Sequence, residues 1–77
     1  MIEMNDFVAK FAAQFEDTDP SLITKDTYFH ELEEWSSVMG LAILAMLNDT
    51  FEITIKGAEL RAAETVEDVY ELVKSKL

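Results

Sequence analysis

Residues 31–51 read ELEEWSSVMGLAILAMLNDTF: a short acidic run, one tryptophan and two serines, then a segment that is apolar on almost every side. The spacing predicts a helix from about Ser37 to Thr50. At about 100° per residue Leu41, Leu44, Leu47 and Phe51 gather on one side, flanked by Gly40 and Ile43, and that side is expected to face a core. The opposite stripe is Val38, Ala42, Ala45 and Asp49, with Met39 and Met46 beside it. An apolar outer face on a small protein points to contact with a partner. At the helix entry Ser36 reads as the N-cap, worth about 1 kcal/mol, and Ser37 as the first helical residue. A serine hydroxyl in a first helical turn also suits a phosphate ester, because free N–H groups and the helix dipole favour an anion there. One serine can cap while the other is esterified.

Upstream, Met4, Phe7, Val8, Phe11 and Phe15 form a helical stripe with Asp6, Lys10 and Gln14 off it, so a first helix is expected. Asp19-Pro20 then interrupts, since the residue before proline leaves the α region. The stretch EDTDPSLITKDTYFHELEEW, residues 16–35, reads as a long connection of about 20 residues pinned by Leu22, Ile23, Tyr28, Phe29 and Leu32. Loops that long are often functional. Downstream, EITIKG alternates like a strand but has no pairing partner in the chain, and it is read as an extended loop. A short helical turn at Ala58 to Ala62 comes next. Thr65, with Asp68 three residues on, resembles a capping box, and Val66, Val69, Tyr70 and Val73 give the last helix its inward stripe. The expected fold is all-α: a small four-helix bundle of three main helices and one short one, with a long first loop and residues 1–77 as a single domain.

Composition narrows the function. A domain of 77 residues buries only roughly 60–65% of its unfolded surface, which leaves little room for a substrate cavity. Hydrophobic residues make up 49% of the chain, and only two glycines and one proline interrupt it, so a packed core rather than disorder is expected. Sixteen acidic residues against six basic ones give a net charge of −10, which repels nucleic acid and anionic membranes and favours partners with basic surfaces. Without cysteine there is no disulfide, thiolate metal site or thiol nucleophile. MIEMNDF lacks the charge and apolar block of a signal peptide, and the longest apolar run, Val38 to Leu47, is too short to span a bilayer. A cytoplasmic, monomeric protein without membrane insertion is the expectation.

The residues offer little catalytic chemistry. His30 has no second histidine or cysteine with which to share a metal, and it reads as an ordinary loop histidine. Glu31, Glu33 and Glu34 lack the alternating pattern and turn glycine of a calcium loop, and they read as a solvated charge run, with a metal-dependent enzyme the lesser alternative. No phosphate-binding glycine loop or nucleophile triad is present. No catalytic residue and no metal ligand is expected.

With the long connection, the serine at the start of the second helix and the acidic four-helix plan in view, the chain resembles the acyl carrier proteins. That family carries 4′-phosphopantetheine on a serine in a Gly-x-Asp-Ser-Leu motif at the start of helix two. FHELEEWSSV is similar to a Phe-x-x-Leu-x-x-Trp-Asp-Ser-Leu variant of this motif, FEITI to the family's Phe-Asp-x-Glu-Ile stretch, and ETVEDVYELV to the start of its helix four. In the common pattern the modified serine stands fourteen residues before a core phenylalanine, and the residue fourteen before Phe51 is Ser37. Ser36 then occupies the usual Asp position, and Glu34 the position of the glycine.

The resemblance implies that a phosphopantetheinyl transferase moves the arm from coenzyme A onto Ser37 Oγ. The terminal thiol then holds acyl groups for a fatty-acid, polyketide or specialised lipid pathway, and the protein itself is not catalytic. Ser36 remains the cap. Acyl-transferring and condensing enzymes with basic surfaces would dock on Val38, Met39, Ala42, Met46 and Asp49. Most acids of the family's helix two are replaced here by Ala42, Ala45 and Asn48. Leu41, Leu44, Ile55, Leu60 and Ala63 are the candidate lining for a sheltered acyl chain. Gly40 costs roughly 0.5–1 kcal/mol inside a helix and either opens space for that chain or permits close helix packing. The rival reading is an unmodified carrier-fold adaptor that binds proteins through the apolar face of helix two. An aminoacyl or peptidyl carrier is a variant of the first reading.

Overall fold

The structure, a computed structural model, describes residues 2–77. Four helices and no strand occur among them: α1 (Met4–Ala12), α2 (Ser37–Phe51), α3 (Gly57–Ala62) and α4 (Val66–Ser75). The all-α, four-helix plan expected from the sequence is the one observed.

Helix α1 buries Phe7, Phe11 and Ala12, and the chain turns on past it so that Phe15 enters the same core. Phe7 lies edge-on to Tyr70 of α4 with centroids 5.4 Å apart and stacks on Phe51 of α2 at 6.1 Å. Phe11 meets Phe29 edge-on at 5.3 Å, and Phe29 meets Trp35 in the same way at 5.0 Å. Aromatic pairs of this kind contribute about 0.5–1.5 kcal/mol each beyond simple burial. They carry the core continuously from α1 to the entrance of α2.

Helix α4 starts as the capping box predicts. Thr65 Oγ1 accepts the Asp68 N–H at 3.2 Å, and Asp68 Oδ2 accepts the N–H groups of Thr65 at 3.1 Å and Glu64 at 3.0 Å. These bonds hold the Asp68 carboxyl below its usual range, with Thr65 the larger cause. The two remaining free donors of the first turn are taken by the long connection. Val66 N–H donates to Thr27 O at 3.2 Å and Glu67 N–H to Lys25 O at 2.9 Å. The stripe Val66, Val69, Tyr70 and Val73 is buried throughout.

The long connection therefore has structure of its own, with 3₁₀ turns at Pro20–Leu22 and Phe29–Glu31. Asp19 caps the first through Oδ1, which accepts both the N–H and the hydroxyl of Ser21 at 2.9 Å. Ile23 and Phe29 anchor the connection in the core, and Leu32 packs partly against it. Leu22 and Tyr28, expected as further anchors, are 67% and 53% exposed. The backbone does the anchoring there: Tyr28 forms an isolated bridge with Thr65.

Helix α2 is rotated relative to the sequence expectation. Its buried residues are Gly40, Ile43 and Leu47, whereas Leu41 is 67% exposed and Leu44 and Phe51 are half-buried. A helix that is apolar all round carries no phase signal, so the core stripe cannot be located from its own residues. The helix ends at Glu52, which holds a left-handed backbone (φ 56°, ψ 40°) and donates its N–H to Asn48 O. Residues 53–56 form no strand and connect α2 to α3 as a loop, as expected, with Ile53 and Ile55 buried.

Candidate functional site

A cleft of about 500 Å³ opens between α2 and α3, with Ser37 among the residues that line it. Along α2 the lining runs from Ser37 through Gly40 and Leu41 to Leu44, two turns or about 10 Å. Helix α3 contributes Gly57, Leu60 and Arg61, and the loop before α2 contributes Trp35 and His30. None of the acidic residues lines it.

The two serines are distinguished by geometry. Ser36 is in extended backbone, and its Oγ accepts the Met39 N–H at 3.2 Å, while its carbonyl accepts the Gly40 N–H at 2.9 Å. It is the N-cap. Ser37 is exposed, and among the described residues its hydroxyl has no hydrogen-bond partner and its N–H has no protein acceptor.

Trp35 forms one wall. It is held by Phe29, by Phe15 at 6.4 Å, and by His30 edge-on at 4.8 Å. Gly40 lies opposite: a Cβ there would meet the indole at 3.6 Å and Leu60 at 3.9 Å, ordinary van der Waals separations. Close helix packing therefore does not require this glycine, and its missing side chain leaves space in the cleft. His30 is half-buried, with Nε2 2.9 Å from Ala63 O. A carbonyl only accepts, so Nε2 carries the proton.

Of the expected chain-lining residues, Leu41, Leu44 and Leu60 line the cleft. Ile55 and Ala63 do not; both are buried in the core, because the cleft follows the outer edge of α2 instead of entering the bundle. On the expected docking face Val38 and Asp49 are exposed and Ala42 is half-buried, but Met39 and Met46 pack partly against the core. Leu41 belongs on the outward stripe beside Val38, which is 75% exposed. Sequence reasoning did not assign Trp35, His30, Gly57 or Arg61 to the site. The available signal was Arg61, the single arginine of an acidic chain.

One acid of the cluster, Glu34, has a structural task, while Glu31 and Glu33 are exposed. Glu34 Oε1 accepts the Asp17 N–H at 3.1 Å and the Thr18 hydroxyl at 2.7 Å, tying the start of the long connection to the entry of α2. Among the described residues no three potential ligands gather as a metal site requires.

A capped helix start, an unengaged serine hydroxyl and an adjoining, mainly apolar cleft come together on this small helical bundle. Residues 6–73 match the family described as phosphopantetheine attachment site, and the chain belongs to that family. No curated protein and no solved structure matches the chain. Domains of this family hold 4′-phosphopantetheine covalently, are not themselves catalytic, and are served by phosphopantetheinyl transferases and acyl-processing enzymes. The exposed Ser37 hydroxyl fits such an arm, since nothing in the fold must be broken to esterify it. No helix among the described residues is long and apolar enough to cross a membrane.

Proposed function

We propose that Ser37 Oγ carries the phosphopantetheine arm and that residues 1–77 act as one acyl carrier domain. The observation that carries this reading is the division of labour at the α2 entrance: Ser36 is consumed as the cap, and Ser37 is left free beside the cleft. In the transfer the Ser37 hydroxyl loses its proton and forms the new O–P bond, and the pyrophosphate linkage of coenzyme A breaks to release adenosine 3′,5′-bisphosphate. Acyl groups are then held as thioesters on the terminal thiol, in a fatty-acid, polyketide or specialised lipid pathway. The protein works as a cytoplasmic monomer.

Partner enzymes dock on the outward stripe of α2, chiefly Val38, Leu41 and Ala42, with Asp49 supplying charge toward basic surfaces. Exposed Val38 and Leu41 support this assignment. Incubation with coenzyme A and a phosphopantetheinyl transferase, followed by peptide mapping, tests the reading. The arm is expected on the Ser37 peptide of wild type and Ser36→Ala and absent from Ser37→Ala. No arm with any of several transferases, together with a partner still bound through Val38 and Leu41, would instead identify an unmodified adaptor.

A further inference from the structure

The cleft is the part of this molecule where charge runs against the whole. The chain carries a net charge of −10, yet no carboxylate lines the cleft, and one guanidinium does. Arg61 joins none of the three ion pairs among the described residues, which are Lys25–Asp26, Lys25–Glu67 and Lys76–Glu59. The acid two residues before it, Glu59, is engaged by the Lys56 N–H at 3.0 Å and by Lys76 Nζ at 3.3 Å. Glu64, three residues on and within ordinary reach on a continuing helix, lies beyond ion-pair distance.

The arginine is also placed. Its terminal nitrogen lies 3.4 Å from where a Cβ of Gly57 would stand, so the side chain folds back over the first turn of α3. An unpaired arginine in an acidic protein, beside a carboxylate-free cleft, is set to receive an anion that the protein does not supply. If Ser37 carries the arm, a phosphodiester is bonded to Ser37 Oγ, on a residue that lines the same cleft as Arg61. The planar guanidinium matches phosphate oxygens with two parallel donors, which an ammonium cannot do.

We propose that Arg61 is the positioning residue that receives the phosphodiester of the arm on Ser37 and holds the root of the arm against the cleft. The proposal rests on the Ser37 reading. It makes the arm's orientation at its origin a property of α3 as well as of α2.

The test compares the unmodified and phosphopantetheinylated forms of wild type, Arg61→Gln and Arg61→Lys at low salt, with intact mass establishing the loading of each. In wild type, loading should shift the Arg61 Nε–H resonance, and Arg61→Gln should move the ³¹P resonance of the loaded form. Arg61→Lys should give a partial ³¹P effect, and high salt should erase the difference between the variants. Arg61 signals unchanged by loading, with a ³¹P resonance indifferent to Arg61→Gln, would overturn the proposal. An Arg61 shift that appears only after charging with a carboxylate-bearing malonyl group, and not with acetyl, would overturn it in favour of cargo recognition. A wild-type mass without the arm would remove the Ser37 reading and this proposal with it, an outcome seen before any resonance is measured.

Discussion

The Cβ that Gly40 lacks would stand 3.6 Å from the Trp35 indole, in ordinary contact. The glycine is therefore a stability cost without a steric reason. Gly40→Ala should raise stability by roughly 0.5–1 kcal/mol in urea unfolding, because it removes backbone freedom from the unfolded chain. The same methyl narrows the cleft, so a thioester-bound acyl chain should be hydrolysed faster in the variant than in wild type. Lower stability in Gly40→Ala would contradict the geometry.

Glu52 ends α2 in the left-handed region. That conformation costs an ordinary residue roughly 1–2 kcal/mol, and glycine avoids most of the cost at the expense of a more flexible unfolded chain. Glu52→Gly should gain roughly 0.5–1 kcal/mol, and Glu52→Val, whose branched side chain suits φ above zero least, should lose stability. Thermal unfolding of the pair gives opposite shifts.

Glu34 fastens the long connection through Asp17 and Thr18. Glu34→Gly, which installs the residue of the common carrier motif, should cost roughly 1 kcal/mol through the lost hydrogen bonds and the added flexibility. Amide exchange should speed up at Asp17 and leave the α4 core unchanged.

The Asp68 carboxyl is held below its usual range by the Thr65 and Glu64 N–H groups. A depressed folded value means that its contribution is complete above the ordinary carboxylate range and is lost as pH falls through the folded value. Asp68→Asn should therefore destabilise the protein at neutral pH, and its stability should fall less steeply than that of wild type on acidification. Urea midpoints measured from neutral pH down the acid limb report both effects.

The residues that made the fold legible are those whose partners are local. Phe7 and Phe11 mark the inner face of α1 by their spacing, and Thr65 with Asp68 declares the start of α4 because the box closes within four residues. The phase of α2 was not legible, since a helix apolar on all sides leaves its orientation to α3 and Trp35. Leu41 was thus assigned inward and proved 67% exposed, though it does line the cleft. The backbone bonds from Val66 and Glu67 to Thr27 and Lys25 join segments some forty residues apart, and no pattern in either segment announces them. At the site, the Ser36 cap could be anticipated from cap chemistry. The isolation of Arg61 could not, because it depends on where carboxylates are absent.

If Ser37 carries the arm, Ser36 stands where the family's motif has aspartate, and both residues are good caps. Ser36→Asp should keep the stability of α2 while increasing the rate at which a broad-specificity transferase modifies the chain. An unchanged rate would place the selectivity elsewhere, for example at Trp35.

Attachment of the arm at Ser37 is decided by the intact mass of the protein purified from its own cells, measured for wild type, Ser36→Ala and Ser37→Ala. A phosphopantetheinyl increment in the first two and its loss in Ser37→Ala is the predicted result. An increment that survives in Ser37→Ala and disappears in Ser36→Ala, or that is missing from wild type, would contradict it.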